Sequence, residues 1–276
     1  MKNLTVKAYE LRQDVLDIVM KAQGGHIGGD MSVIDILVTL YFHEMNIDTG
    51  KPGDPDRDRF VLSKGHSVES LYAVLAAKGF LSLSEILREI GTFGTKYIGH
   101  PNNKLPGIEM NSGSLGHGLP VSVGMALAGR MDNRSYRVYT VMGDGELAEG
   151  SVWEGAMAAA HYKLDNLCAI IDWNGLQISG TVDEVMGHKD MVGQWESFGW
   201  HVLCVNGNDI AQLICAFDKA RLVKGKPTVI LAKTIKGYGS ALMEGKIDWH
   251  HKVPTLPEYE QMKEELHQRK EAAYLE

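Results

Sequence analysis

One carboxylate and one carboxamide frame the chemistry this chain could perform. Asp144 lies in Gly143-Asp144-Gly145, directly after the apolar run 137–142, which reads as a buried strand. Asn174 lies in Trp173-Asn174-Gly175, directly after a second such run, 167–172, and the segment 151–161 between them reads as a helix. A βαβ unit of this kind brings both strand ends to one edge of a parallel sheet, where ligands bind. Two hard oxygen ligands on that edge, with free backbone groups nearby, suit a Mg²⁺ or Ca²⁺ ion that holds a diphosphate.

Two other readings compete for the same turn. Gly143-Asp144-Gly145-Glu146-Leu147-Ala148 formally fits the G-x-G-x-x-G/A pattern of a dinucleotide fold, with Asp172 in the place of the ribose-binding acid. Against it, Asp144, Glu146 and Glu149 crowd the position of a bare pyrophosphate, and like charges repel there unless a divalent cation intervenes. The third reading is a tight turn with no ligand at all.

Three histidines sit beside glycines in expected loops before this unit: His26 in the loop Gly24-Gly25-His26-Ile27-Gly28-Gly29, His66 in Ser63-Lys64-Gly65-His66, and His100 in Gly99-His100-Pro101. Singly, each is a surface or packed histidine; together they suggest proton transfer and hydroxyl binding near neutral pH, which histidine does without burial-driven pKa tuning. His250 and His251 follow the last strand. Ser112-Gly113-Ser114-Leu115-Gly116-His117-Gly118 opens a helix of small residues, and its N–H groups could meet an anion or a ring nitrogen, or its glycines could simply serve close packing.

The elements that must position these groups follow from periodicity and caps. Leu11, Val15, Ile18 and Val19 recur at helical spacing, with a stop expected at Gly24-Gly25. Ser32 with Asp35 resembles a capping box for a buried helix running to about Phe42. A strand is expected at 60–62, a helix over 68–78 ending at Gly79, and another over 83–90 capped by Ser82 with Glu85. Residues 91–113 lack periodicity. Helices are expected at 120–129, 190–198 and 210–223, the last capped by Asp209, with strands at 201–205 and 227–235. Strands alternating with helices from 137 to 235 predict a doubly wound parallel α/β sheet in a single domain, 1–276. The charged tail from Glu258 reads as a helix that is either solvated or docked.

Composition narrows the class. The 276 residues are 44% hydrophobic and 23% charged, with net charge −7. That offers no basic surface for nucleic acid. No stretch reaches membrane-span length and no signal peptide opens the chain, so a cytoplasmic protein is expected. Cys168, Cys204 and Cys215 lack metal-ligand spacing and read as reduced core residues.

Taken jointly, these motifs resemble the thiamine-diphosphate-binding half of transketolase, over about residues 8–255. Gly143-Asp144-Gly145, then 28 residues, then Asn174 resembles the cofactor signature of that superfamily. GGHIGG, LSKGHS, YIGHP, SGSLGHG and GDGELAEG resemble transketolase in particular. A full transketolase is more than twice this length, so the resemblance implies the N-terminal subunit of a split, two-chain enzyme. It implies that Asp144, Asn174 and the Leu176 carbonyl ligate Mg²⁺ or Ca²⁺. Gly145 would donate its N–H to the diphosphate in the turn that Gly143 opens. Gly113 and Leu115 would meet the aminopyrimidine, and Ile178 would pack on the cofactor rings. His26, His66, His100 and His250 would line the path of a sugar, and Glu149 would join an acidic contact between two cofactor sites.

The same resemblance implies a two-carbon ketol transfer from a ketose to an aldose. It also implies a partner subunit that supplies the activating glutamate, in an α₂β₂ assembly. The rival functions are a nicotinamide-binding protein and a catalytically silent scaffold. The pattern departs from the family at three places. His117 replaces a glutamine, Ile90-Gly91-Thr92 replace Phe-Arg-Gln, and Ile247 replaces a diphosphate-contacting histidine. His250, and after it His251, Lys236 or Lys246, could fill that last role.

Overall fold

The computed structural model describes residues 1–275. Its frame is a five-stranded sheet in the order β1-β2-β3-β7-β6, parallel throughout. The strands are β1 (Arg59–Leu62), β2 (Val138–Gly143), β3 (Leu167–Trp173), β6 (His201–Asn206) and β7 (Thr228–Lys233). A short antiparallel hairpin, β4 (Leu176–Gln177) and β5 (Gly180–Thr181), follows β3. Side chains alternate along each strand and so feed two cores. Tyr139, Val141, Cys168, Ile170, Ile230 and Ala232 join one. Val138, Met142, Ala169, Ile171, Val229 and Leu231 join the other. The expected doubly wound sheet, covered on both faces, is what forms.

The first core lies under α1 (Lys2–Ala22), α2 (Ile27–Thr39), α3 (Val68–Lys78), α4 (Leu83–Glu89), α9 (Ile210–Leu222) and α10 (Leu256–Leu275). The second lies under α5 (Gly118–Met131), α6 (Gly150–His161) and α8 (Met191–Ser197), with the short α7 (Val182–Met186) beyond the hairpin. Helix α3 stops at Gly79, whose φ of 99° suits a residue without Cβ. Asp209 accepts from the Ala211 and Gln212 N–H groups and starts α9. Helix α10 docks rather than floats: Met262 and Leu266 are buried, and Lys263 and Tyr259 both reach Asp17 on α1, at 2.8 and 2.6 Å.

Several local expectations are corrected. Helix α1 ends at Ala22 with Gln23, not a glycine, in the left-handed position (φ 52°). Ile27-Gly28-Gly29 is not loop but the first turn of α2. A Cβ at Gly28 would stand 2.6 Å from the Trp249 carbonyl oxygen, and one at Gly29 would stand 3.0 Å from Ser67 Oγ. These glycines serve close packing inside a helix, which glycine spacing alone does not distinguish from a flexible turn. Ser32 is consequently mid-helix, not a cap, and its hydroxyl donates to Asp172 at 2.6 Å while lying 3.0 Å from the Gly29 carbonyl. Cys168 is buried, but Cys204 and Cys215 are exposed, because β6 is the edge strand and α9 turns Cys215 outward. No helix among the described residues is long and apolar enough to cross a membrane.

Candidate active site

The C-terminal ends of β2 and β3 carry the expected pair. Gly143 is paired in register with Asp172, so Asp144 lies one residue past the sheet and Asn174 two past its neighbour's end position. Asp144 Oδ2 accepts the Gly175 N–H at 2.5 Å and its Oδ1 accepts the Gly145 N–H at 2.9 Å. Asn174 Oδ1 accepts the Leu176 N–H at 3.2 Å. The two turns are thereby laced together, and Asp144 reaches the backbone beside Asn174. Lys236, from the loop after β7, donates Nζ to the Leu176 carbonyl at 3.0 Å. Carboxylate, carboxamide and carbonyl at one place form an all-oxygen donor set of the kind hard divalent cations take.

The acids of this turn do not act alike. Asp144 is 2% exposed and burial raises its carboxyl to about 6, against the Gly175 and Gly145 N–H groups, which lower it. Glu146 faces inward, bound to the Ser63 hydroxyl and to the Gly116 and Gly143 N–H groups at 2.8 and 3.1 Å. Glu149 is exposed beside Gly116 and outside the cradle. Of the three carboxylates expected to crowd the turn, Glu146 is therefore spent on the fold and Glu149 lies outside, which leaves Asp144 to face the donor set. The dinucleotide reading fails on Asp172, which is fully buried and held by Lys64 Nζ at 2.5 Å, Ser32 Oγ at 2.6 Å and the Thr234 hydroxyl. It has no room for a ribose.

The glycine-rich entry to α5 is also partly spent. The Gly116 N–H serves Glu146, and the Gly118 N–H serves Ser63 Oγ at 3.1 Å. Gly113 remains apart, with φ 141°, and a Cβ there would stand 2.7 Å from His100 Cδ2. A Cβ at Gly65 would stand 2.8 Å from the Gly113 nitrogen. The loops carrying His66, His100 and Gly113 thus interlock, with Leu115 half-buried between them and Gly116. Ile178 is 66% exposed at the tip of the β4–β5 hairpin, an aliphatic side chain with nothing on it.

Histidine rings converge from three separate segments. His26 stands at the start of α2, with its ring centroid 5.0 Å from His66, 5.6 Å from His250 and 4.7 Å from His251. His66 and His250 stack at 5.7 Å. Lys236 ties this cluster to the oxygen cradle, since a Cβ at Gly28 would touch its Cγ at 3.2 Å while its Nζ sits on Leu176. Lys246 turns away to the Ala241 and Leu242 carbonyls, so Lys236 is the lysine at the cradle. His117 is exposed, its Nδ1 3.3 Å from the Leu115 carbonyl.

Burial changes what these imidazoles can do. It lowers His26 to about 4, His66 to about 2 and His250 to about 3, helped by the neighbouring histidines and by Lys64 and Lys236. The expectation of histidines untouched by burial and titrating near pH 7 is corrected. These rings are neutral, each with one N–H donor and one acceptor nitrogen. Only its adjacency to His250 marked His251 as a cluster member, and no motif marked Asp30 and Glu69, a buried acid pair behind His26.

With this geometry in place, comparison with known proteins decides the family. Residues 3–274 match the model described as "Transketolase, thiamine diphosphate binding domain". The chain belongs to the transketolase family. It is 48% identical to one of the subunits of the apulose-4-phosphate transketolase of Phocaeicola vulgatus, over 97% of this chain and 95% of that one. It is 41% identical to a 6-deoxy-6-sulfo-D-fructose transketolase subunit of Clostridium sp., over 90% of each. Against human transketolase the identity is also 41%, but the match covers 94% of this chain and only 41% of that one. The transketolase structure from Campylobacter jejuni superposes with a TM-score of 0.91 at 29% identity, over 99% of this chain and 46% of that one. This chain is a transketolase subunit of the N-terminal, cofactor-binding type.

Proposed function

We propose that this chain is the cofactor-holding half of a two-chain transketolase, which moves a two-carbon ketol unit from a ketose to an aldose once a partner subunit completes the site. The observation that carries this reading is the meeting, on one sheet edge, of an oxygen-only cradle with a cluster of neutral imidazoles, joined through Lys236. A scaffold needs neither.

In this reading Asp144, Asn174 and the Leu176 carbonyl hold Mg²⁺ or Ca²⁺, which neutralises a diphosphate. Gly145 offers the diphosphate its N–H only by giving up Asp144 Oδ1, and the Gly143 N–H is held by Glu146, so Lys236 takes the place of the missing histidine at Ile247. Gly113 and Leu115 meet the aminopyrimidine through backbone groups, and Ile178 covers the rings. When bound, thiamine diphosphate supplies a nucleophilic ring carbon and a ring that accepts electrons as the carbon–carbon bond breaks. The chain's own residues do the rest. His26, His66, His100 and His250 orient sugar hydroxyls. His26, His66 and His250, as neutral rings that both donate and accept, relay a proton by releasing one from one ring nitrogen as the other takes one up. Glu149, exposed beside Gly116, fits an acidic contact with a second copy.

Relatives whose own names make them transketolase subunits, matched over 90% or more of their length, support a partner chain. In this reading the two chains form an α₂β₂ assembly in the cytoplasm. The test is reconstitution. This chain, its partner, thiamine diphosphate and Mg²⁺ are mixed with a ketose donor and an aldose acceptor. Turnover by the mixture and by neither chain alone is expected. Turnover by this chain alone would remove the partner requirement, and a mixture silent with every ketose would favour the scaffold reading.

A further inference from the structure

Glu146 is 2% exposed, and its two oxygens accept from different turns of the chain. Oε2 takes the Gly143 N–H at 3.1 Å, in the turn that carries Asp144. Oε1 takes the Gly116 N–H at 2.8 Å and the Ser63 hydroxyl, in the turns that carry Leu115 and His66. Backbone N–H groups only donate, so the carboxyl accepts on both sides. Neutral donors hold it, rather than a cation in contact, and a charge buried in that way costs stability. Its return is sought in what the three turns do together.

The grip on Gly116 has a second half. Ser151, in the first turn of α6, donates its hydroxyl to the Gly116 carbonyl at 3.0 Å. Both polar groups of this glycine are thus held by the segment that follows Asp144. Its φ is 83°, and a Cβ there would stand 2.5 Å from Ser151 Oγ and 2.6 Å from Glu149 Cβ. The backbones approach more closely than any side chain at this position allows. Ser63 Oγ, itself bound to Glu146, accepts the Gly118 N–H at 3.1 Å. The loop 113–118 therefore stands at a fixed distance from the turn 143–146. In the cofactor-holding reading these are the two places that meet opposite ends of one ligand. The turn lies at the diphosphate, and Gly113 and Leu115 lie at the aminopyrimidine. A ligand gripped at both ends binds well only when the two grips are correctly spaced beforehand.

We propose that Glu146 is a positioning residue that sets the distance between the diphosphate turn and the aminopyrimidine loop. It touches neither end of the cofactor. The inference rests on the cofactor-holding reading and goes beyond it by naming a side chain outside the ligand set on which the fit of the whole cofactor depends. A carboxylate suits the task because both of its oxygens accept. The carboxamide of a glutamine has one accepting oxygen and one donating nitrogen. In the same place it strands either the Gly143 or the Gly116 N–H, and that turn moves away.

The test compares a ligand that spans both turns with one that reaches a single turn. The apo two-chain enzyme is titrated by calorimetry with thiamine diphosphate and, separately, with inorganic pyrophosphate, each with Mg²⁺. Glu146→Gln is expected to raise the Kd for thiamine diphosphate about tenfold, the effect of one stranded N–H, and to leave that for pyrophosphate unchanged. The thiamine diphosphate concentration that half-activates turnover should rise by the same factor, with the KM for the ketose unmoved. Ser151→Ala, which frees only the Gly116 carbonyl, should show the same pattern at about threefold, and it carries the test if Glu146→Gln does not fold. Pyrophosphate bound at wild-type strength shows that a variant is folded. Equal weakening of both ligands, or no weakening of thiamine diphosphate in a folded variant, would overturn the positioning role alone. A wild-type pair that binds neither ligand would overturn the cofactor reading and this inference with it.

Discussion

Asp144 and Asp172 close neighbouring strands within one residue of each other in register, and both are almost wholly buried, yet their surroundings are opposite. Asp172 is ringed by Lys64, Ser32 and Thr234. Burial pushes its carboxyl up, but the Lys64 ammonium and the two hydroxyls outweigh that and leave it below the usual carboxylate range. Asp144 has two backbone N–H groups and no side-chain cation in contact, and burial wins, raising it to about 6. A buried charge whose counter-charge belongs to the chain is part of the fold. One whose counter-charge is missing is built for something that arrives later. The difference separates the floor of the site from its rim better than burial does.

The sharpest way to break this comparison is to neutralise each acid. Asp172→Asn leaves Lys64 buried without a counter-charge and should cost about 3–5 kcal/mol of stability, read by urea unfolding of the isolated chain. Asp144→Asn removes a charge that the fold does not neutralise, so unfolding should move by less than about 1 kcal/mol. Its loss should appear in the ligand instead. Wild-type chain at a hundredfold excess of thiamine diphosphate over Kd, with Mg²⁺, should gain about 2.7 kcal/mol, seen as a rise in Tm. The variant should gain none, and a chelator should return the wild type to its free value. If Asp144→Asn unfolds the chain and Asp172→Asn merely loses cofactor binding, the assignment of floor and rim is reversed.

The same contrast explains what the sequence could show. Strand–helix alternation placed β2, α6, β3, α9 and β7 within a residue or two, because runs such as 227–235 bury both faces and have no other period. Asp144 and Asn174 were legible because each ends such a run. Partners contributed from afar were not. Nothing near Asp172 announces that Lys64, 108 positions earlier, will neutralise it, so Asp172 could still pass for a ribose-binding acid. Gly28 and Gly29 read as loop because their reason for being glycine, Trp249 and Ser67, lies in other segments. The depressed histidines were hidden likewise, since desolvation is set by the packed site and not by the flanking glycines.

Those histidines give the next effect in size. His66 holds a pKa of about 2 in the folded chain, mainly through burial, against about 6.5 when unfolded. As pH falls below 6.5, the unfolded chain takes up a proton that the native one does not, so native stability falls. For this one residue the loss is up to roughly 1.4 kcal/mol per pH unit, continuing toward the folded pKa. Asp30 and Glu69, with raised pKa values, work in the other direction, so the informative quantity is a difference. His66→Gln should lose less Tm than wild type between pH 7 and pH 5, and the two should run parallel above pH 7.5. Equal acid sensitivity in both would mean that His66 is solvated and can protonate in place.

The smallest effect concerns two buried lysines that repeat the contrast of the acids. Lys64 and Lys236 are 1% and 3% exposed, but only Lys64 has a carboxylate in contact. Lys236 has the Leu176 carbonyl, and burial, with the nearby Lys64 charge, lowers it to about 8. One charge-assisted bond to a carbonyl roughly offsets the cost of burying an ammonium without a counter-charge, so Lys236→Met should move apo stability by less than about 1 kcal/mol. Lys64→Met should cost several times more, because it strands Asp172. With cofactor the ranking changes. Lys236→Met should reduce the thiamine-diphosphate-dependent rise in Tm without abolishing it, since Asp144 and Asn174 still hold the metal. A Lys236→Met chain whose cofactor response equals that of wild type would take Lys236 away from the diphosphate, and leave the role lost at Ile247 to His250 or to the partner.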